Sequence, residues 1–334
     1  MSNPILVEVL RGSLVESRHA GSVAVVDADG RSVLALGDVD RPIYPRSAVK
    51  VLQALPLIES GAADLYGLTP EMLALACASH SGEPGHVETA NAILKRAGLE
   101  PSALKCGAHW PMNQTAAHEL AHTGGKATPL HNNCSGKHAG FLCTACAIAA
   151  EPAHYTLPAH PVQRAVKAAL EAVTGAVIPP DAYAVDGCSV PTWPVPLKSL
   201  ALGFARLGTG AWMSPERAKG AARLREACAA HPWHVGGTGR FDTEIMQRFG
   251  TRVFVKTGAE GVYCAALPEQ GLGIAVKCDD GAGRAAEVVT ATLLARFLPL
   301  DADIIALEPF VRPTLRNWND IVTGSMRPAD GLTD

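Results

Sequence analysis

The segment Tyr44–Lys50, which reads YPRSAVK, lies where the chain changes from strand-like to helix-like sequence. Pro45 precedes Ser47 and an apolar helical pattern follows, so Ser47 is expected at or near a helix N-terminus. Residues three positions apart share one face of a helix, which puts Lys50 within reach of the Ser47 hydroxyl. The segment therefore has two interpretations: an ordinary helix cap followed by an exposed lysine, or a nucleophilic serine with a lysine base.

The second interpretation requires a neutral lysine. The free pKa of lysine is about 10.4, so a value of about 7.5 needs a shift of about three units, or about 4 kcal/mol. Burial contributes to such a shift, and a second cation nearby contributes most directly. Lys256, in the Lys256-Thr257-Gly258 sequence that ends the predicted strand of VFVKTGAEG, is the candidate for this cation.

A Ser-x-x-Lys that opens a helix, followed by a Lys-Thr-Gly on a late strand, is the pair of motifs found in penicillin-recognising serine enzymes. The third motif of that set, Ser-Asp-Asn, is missing. The helical region instead contains ASHSGE, with Ser79 and Ser81 on either side of His80.

The order of predicted elements indicates the fold. Short β-rich runs (ILVEVLRG, SLVESRHAG, SVAVVDADG and RSVLALGDVD) fill the first forty residues, and helical spacing extends from Ser47 to about residue 250. Strands return in TRVFVKTG, GVYCAALPEQG and LGIAVKCDDG, before a last apolar helix, AGRAAEVVTATLLARFL. This is not the strand–helix alternation of a parallel sheet. It predicts an α/β fold of the α+β type, with one antiparallel sheet built from both chain ends.

We therefore expect a single domain over residues 1–334. Its sheet lobe would comprise about 1–45 and 250–300, and a helical lobe of about 46–250 would be inserted between them. A cleft between the lobes is the natural place for a site.

Composition limits the class of protein. The 334 residues are 48% hydrophobic and 18% charged, with a formal net charge of -3, so neither nucleic acid nor an anionic membrane is expected as a partner. The start, MSNPILVEVLRGS, does not resemble a signal peptide, and no segment approaches the roughly 20 apolar residues that cross a bilayer. Nine cysteines without an export signal are expected to be mostly reduced thiols, so we expect a cytoplasmic protein.

A candidate metal site lies in NNCSGKHAGF and VDGCSVP. Cys134, Lys137 and His138 stand at positions i, i+3 and i+4, and Cys188 follows Asp186 by two. Two thiolates and one nitrogen would hold a tetrahedral zinc with one open position. His138 is the obvious nitrogen, whereas Lys137 could ligate only after losing its proton. The spacing leaves both nitrogens open, and it also leaves open that these are ordinary buried cysteines.

A second metal-like pattern is weaker. HELAH, residues 118–122, has the His-Glu-x-x-His form of zinc proteases, but position 128, where the third ligand would fall, is a threonine. We expect an exposed polar helix there. Cys143 and Cys146 lie in the apolar run AGFLCTACAIAA and are expected in the core.

Six blocks, YPRSAVKVLQ, ASHSGE, NCSGKHAGF, VDGCSVPT, GTGRFDT and KTGAEGVY, together resemble the L-asparaginase II family of the rhizobial type. They run from about residue 40 to 280, and NCSGKHAGF and KTGAEGVY are the specific ones. The resemblance implies a fold like that of serine β-lactamases and penicillin-binding proteins, bound zinc and a homodimer. It also implies hydrolysis of the side-chain amide of L-asparagine to L-aspartate and ammonia.

The resemblance also implies roles for single residues. Ser47, as the nucleophile, would pair with Lys50, and a second pair, Ser79 with Lys256, would lie beside it. Ser79 then takes the place of the missing Ser-Asp-Asn serine. In the expected mechanism Lys50, kept neutral by burial and by the charge of Lys256, takes the Ser47 proton. Backbone N–H groups near the helix start would hold the oxyanion.

The metal ligands implied by the resemblance are Cys134, Lys137 and Cys188, with water in the fourth position. His138 and Asp186 then become contacts of the substrate or of the metal site. Arg46 is expected to bind the substrate α-carboxylate, unless it is an ordinary surface arginine. Two alternatives remain: a β-lactamase or serine-peptidase-like acyl hydrolase of the same architecture, and a non-catalytic zinc-binding regulatory module. The sequence leaves discrimination against glutamine open.

Overall fold

A computed structural model of the chain describes residues 2–333, and side chains up to Leu332. Eight strands form the main sheet and four form two small two-stranded sheets. The strands are β1 (Ile5–Arg11), β2 (Leu14–Asp27), β3 (Ser32–Leu36), β4 (Pro42–Ile43), β5 (Ala184–Val185), β6 (Pro191–Thr192), β7 (Val195–Pro196), β8 (Phe254–Gly258), β9 (Val262–Leu267), β10 (Leu272–Cys278), β11 (Thr314–Arg316) and β12 (Val322–Pro328).

Most helices lie between β4 and β8. They are α1 (Lys50–Gln53), α2 (Leu55–Glu59), α3 (Ala62–Leu65), α4 (Pro70–Ala76), α5 (Pro84–Arg96), α6 (Gln114–His122), α7 (Ser135–Ala147), α8 (Pro161–Thr174), α9 (Leu197–Thr209), α10 (Pro215–Ala230), α11 (Pro232–Val235), α12 (Phe241–Phe249), α13 (Gly283–Phe297), α14 (Asp301–Val311) and α15 (Asp330–Thr333). None of the helices in residues 2–333 is long and apolar enough to cross a membrane.

The main sheet is antiparallel and takes strands from both chain ends. Its order is β11-β12-β1-β2-β10-β9-β8, with β3 paired to β2, and β12 lies against β1 with Arg327 opposite Glu8. The predicted fold class, an antiparallel sheet from both ends with an inserted helical lobe, is confirmed. The sheet extends past the expected limit of about residue 300, because β11 and β12 also join it.

One long strand, β2, joins the two halves of the sheet. Up to Ala20 it pairs with β1, and from Gly21 onward it pairs with β10. A Cβ at Gly21 would lie 2.3 Å from the carbonyl oxygen of Lys277, so only glycine allows this approach. The sequence predicted two strands here, SLVESRHAG and SVAVVDADG, whereas the structure has one, because Gly21 serves the change of partner and not a turn.

The packing of the sheet positions the site. All six residues of β9 are buried, as expected for a strand covered on both faces, and α9 and α13 both pack against β9 and β10. At the edge of the sheet that β8 forms, β8 contacts the 3₁₀ turn Arg46–Val49. A Cβ at Gly258 would lie 2.6 Å from the Pro45 carbonyl oxygen. This close contact brings Lys256 next to the turn that carries Ser47, and the apolar core continues through both lobes.

Candidate active site

Ser47 lies in the 3₁₀ turn Arg46–Val49, immediately before α1. It is partly exposed, and its hydroxyl makes no hydrogen bond to any other residue of the described chain. The preceding Arg46 has a φ of +52°, in the left-handed region that side chains disfavour. Its Nε donates to Asp186 Oδ1 at 2.5 Å, and this ion pair helps to hold the strained backbone beside the serine.

The hydroxyl of Ser79 lies between two lysines. Lys256 Nζ is 2.9 Å from Ser79 Oγ, and Lys50 Nζ is 3.1 Å from the same atom. Both lysines are fully buried and Ser79 is 4% exposed. The structure therefore brings Ser79 and Lys256 together as the family resemblance implies. It places Lys50 on Ser79 as well, and not on Ser47.

The remaining hydrogen bonds of Lys50 and Lys256 limit how the protons of the two amines and of the Ser79 hydroxyl can be arranged. Lys50 also donates to the carbonyl oxygens of Ala78 at 2.6 Å and Asn133 at 3.2 Å. Lys256 donates to the Thr257 carbonyl oxygen at 3.1 Å. Ser79 has one proton and two lone pairs, so it can accept from one lysine and donate to the other only if that other amine is neutral.

Lys256 is suited to be the neutral amine. Burial lowers its pKa to about 8, and the positive charges of Lys50 and Arg240 act in the same direction, while the charge of Asp242 opposes them. A base with this pKa is useful near neutral pH. The sequence predicted a lysine neutralised by burial and by a second cation; here the lowered pKa belongs to Lys256, and Lys50 supplies that cation.

The loop that carries Ser79 is fixed by buried hydrogen bonds. The Ser79 N–H donates to the Val235 carbonyl oxygen at 3.0 Å. His80 Nδ1 accepts the Gly82 N–H at 3.1 Å, so Nε2 carries the proton and donates to Ser135 Oγ at 2.9 Å. Burial lowers the pKa of His80 well below its usual value, which keeps this ring neutral.

The three predicted metal ligands also converge. Cys134 lies just before α7, Lys137 is in its first turn, and Lys137 Nζ is 3.1 Å from Cys188 Sγ. The interaction between the Cys134 and Cys188 thiols lowers the pKa of Cys134 well below its usual value and raises that of Cys188. The two thiols therefore lie together beside the Lys137 amine.

The donor types of this set, two cysteine sulfurs and an amine nitrogen that must first lose its proton, are of the kind that zinc takes. Within residues 2–333, no group of three His, Cys, Asp or Glu side chains is placed to hold a metal. His138 therefore does not complete a set with the two cysteines, and a metal at this position would need the Lys137 amine.

His138 and Asp186 face other partners. The His138 ring is fully buried, with Nδ1 at 2.6 Å from the Tyr155 hydroxyl, and burial lowers its pKa well below the usual value. Asp186 accepts from Arg46 and, at 2.7 Å, from the Gly187 N–H. The structure thus gives both residues protein partners, and their contact with the substrate stays a prediction.

The HELAH segment lies on α6, where His118, Glu119 and His122 are all exposed. As expected, it is a polar surface helix. Cys143 is buried in α7, also as expected, and Cys146 is partly buried.

A pocket of about 340 Å³ opens beside the Ser47 turn. Its lining includes three cationic side chains and one carboxylate: Arg41, Arg46, Lys277 and Glu260. The pocket therefore carries charged groups of both signs beside the Ser47 turn.

These features define an α/β protein with a buried serine–lysine cluster and an adjoining thiol–amine cluster. The L-asparaginase II family profile matches residues 7–328, and the chain belongs to this family. A search of curated protein sequences gave no match.

Solved structures with a similar arrangement share little sequence with the chain. A beta-lactamase from Mycobacterium bovis is 14% identical over 80% of this chain and 89% of its own, with a TM-score of 0.37. The protein Mglu is 15% identical over 85% of this chain and 69% of its own, also with a TM-score of 0.37.

Proposed function

We propose that the protein is an L-asparaginase, which hydrolyses the side-chain amide of L-asparagine to L-aspartate and ammonia through a serine acyl-enzyme. Membership of the family supports amide hydrolysis. The observation that carries the mechanism is the Ser79 hydroxyl held between Lys50 and Lys256, with a pKa of about 8 for Lys256. Activation of a hydroxyl requires a base that is neutral at the working pH and within hydrogen-bond reach.

Ser79 acts as a proton relay. Neutral Lys256 accepts the Ser79 proton over 2.9 Å, and Ser79 accepts a proton from the Lys50 ammonium over 3.1 Å. The net result is a neutral Lys50 and a charged Lys256, with Ser79 unchanged. Lys50 is then the base for Ser47, which stands three residues earlier in the chain. Because the Ser47 hydroxyl makes no hydrogen bond within residues 2–333, this contact would form when substrate is bound.

Ser47 then attacks the amide carbon. Lys50 takes the Ser47 proton and gives it to the leaving nitrogen, so ammonia departs and an ester remains on Ser47. Water, deprotonated by the same lysine, hydrolyses the ester and releases aspartate. Backbone N–H groups of the turn would hold the oxyanion. Ser47 is the better nucleophile of the two serines because it is partly exposed, whereas Ser79 is buried and occupied by both lysines.

Arg46 is proposed to bind the substrate α-carboxylate. It contacts Asp186 through Nε, and within residues 2–333 its two terminal nitrogens make no hydrogen bond. A guanidinium can therefore offer these nitrogens to a carboxylate while Asp186 fixes its orientation. His138, predicted as a further contact of the substrate, is fully buried.

Zinc is proposed on Cys134, Lys137 and Cys188, where it would supply a Lewis-acidic charge that orients the substrate. The charge of Lys50 also acts on the Cys134 thiol, so the serine–lysine cluster and the thiol cluster interact electrostatically. On the basis of the family resemblance, we further propose that the protein is a cytoplasmic homodimer. Its substrate would be the small molecule L-asparagine.

Ammonia release from L-asparagine and L-glutamine tests the function directly. The purified protein should release ammonia from L-asparagine, should not hydrolyse nitrocefin, and should lose turnover in Ser47→Ala. Nitrocefin turnover without ammonia release would favour the β-lactamase-like alternative. Bound metal with neither activity would favour the regulatory module.

A further inference from the structure

Asp242 is a buried carboxylate for which the mechanism above has no role. It lies in the first turn of α12 and is 1% exposed. Its Oδ1 accepts the Thr257 N–H at 3.1 Å and the Tyr263 hydroxyl. Its Oδ2 has no hydrogen-bond partner within residues 2–333, and it lies 3.6 Å from Lys256 Nζ. A buried carboxylate oxygen without a donor is unfavourable, so the lysine charge is what compensates it.

The contact with Thr257 also fixes the backbone of the lysine strand. Among residues 2–333, β8 is the last strand of the sheet, so one of its edges has no neighbouring strand there. The Thr257 N–H would face this open edge, and Asp242 accepts its hydrogen bond there. One carboxylate therefore binds both the residue after Lys256 and the Lys256 side chain, and it ties α12 of the helical lobe to the sheet.

We propose that Asp242 is a positioning residue of the Ser79–Lys256 pair, which holds the lysine against the serine through one charge contact and one backbone hydrogen bond. Its polar partners within residues 2–333 are Thr257, Tyr263 and Lys256, and neither serine is among them. Its catalytic consequence rests on the proposed function, whereas its effect on Lys256 does not.

Several groups around Lys256 set the sign of the expected effect. Burial, Lys50 and Arg240 lower the Lys256 pKa, while Asp242 and Cys134 raise it. Removing the Asp242 charge should therefore let Lys256 lose its proton at lower pH. The other titratable groups near this pair are Cys228 on α10, Tyr263 and Cys264 on β9, and Glu287 on α13, whose pKa burial raises to about 7.

The test follows the titration of Lys256 itself in full-length protein with 13C-labelled lysine, assigned by comparison with Lys256→Met. Asp242→Asn keeps the shape of the side chain and removes its charge. Its Lys256 titration midpoint should move down by about one to three pH units, the effect typical of an opposite charge at this distance. The rising limb of kcat/KM for L-asparagine should move with it. A midpoint that stays in place or rises overturns the proposal.

Tyr263→Phe is the matched variant. It removes the phenol that disperses the negative charge of Asp242, so the Lys256 midpoint should move up, opposite to the shift in Asp242→Asn. Shifts in the same direction, or an unmoved midpoint, would show a merely structural role. If Asp242→Asn does not fold, the upward shift in Tyr263→Phe alone decides. A protein inactive on L-asparagine would refute the proposed function, yet the two lysine titrations would still test Asp242.

Discussion

The buried Lys256 makes a quantitative prediction about stability. Its folded-state pKa is about 8, below the usual lysine value of 10.5, because burial disfavours the ammonium. Between these two pH values the unfolded chain binds a proton that the folded protein has released. Stability against unfolding therefore rises with pH across this window, and below pH 8 the buried ammonium is a constant penalty.

The size of the effect follows from the shift. A difference of about 2.5 pKa units corresponds to about 3 kcal/mol, gained at no more than about 1.4 kcal/mol per pH unit. The reference is a double variant, Lys256→Met with Asp242→Asn, because removing the lysine alone would leave a buried carboxylate unpaired. The free energy of unfolding of the wild type, minus that of the double variant, should rise by about 2–3 kcal/mol between pH 8 and pH 10.

Urea unfolding at closely spaced pH values measures this difference, since alkaline titrations common to both proteins cancel. Lys126→Met, at an exposed lysine, is the control and should show a flat difference from wild type. A flat or falling difference for the double variant would refute the assignment of a lowered pKa to Lys256, and with it the base of the proposed relay.

Four further predictions concern the reaction and the metal site. The kcat/KM for L-asparagine should rise about tenfold per pH unit below pH 8 and level off above it, because the relay needs neutral Lys256; a profile flat from pH 6 to 9 would contradict this. Ser79→Ala should lower kcat by about 10²–10⁴-fold with little change in KM, as measured by ammonia release, since it breaks the relay but not substrate binding. Mass spectrometry of quenched reactions should find the aspartyl ester on the Ser47 peptide in wild type and in Ser79→Ala, and an ester on the Ser79 peptide would reverse the two roles. Cys188→Ser should bind less zinc, by metal analysis, and mainly raise KM; loss of kcat at unchanged KM would give the metal a role in the chemistry.

The sequence predicted the architecture because element order alone excludes a parallel sheet. It did not predict β11 and β12, since β11 has only three residues and carries no periodicity. It also divided β2 at Gly21, because a glycine that permits a close strand approach looks the same as one that makes a turn. The local sequence pattern is sufficient to predict the fold class, but it does not show which strands pair with each other.

In the site, too, the local sequence pattern identified candidate residues but not all of their contacts. The i, i+3 spacing of Ser47 and Lys50 suggested a pair, but Lys50 is bound by acceptors from Ala78, Ser79 and Asn133, which no local rule brings near. The Ser79–Lys256 contact joins positions 177 apart and came only from the family resemblance.

Asp242 was missed altogether, although it lies in the quoted GTGRFDT block. Its role depends on the open edge of β8, and that edge is a property of the sheet. A search for polar side chains opposite an edge strand would have found it.

The sheet takes strands from both ends of the chain, and this has a consequence for synthesis on the ribosome. The first three strands leave the ribosome early. Two of their partner strands, β10 and β12, begin only at Leu272 and Val322 and are therefore synthesised much later. Until then β1 and β2 present open edges, which are prone to pair with other chains. Contacts between residues more than 300 positions apart, such as Glu8 with Arg327, also make closure slow. We expect the nascent chain to depend on chaperones until its last strand is released, and C-terminal truncations before β12 to aggregate.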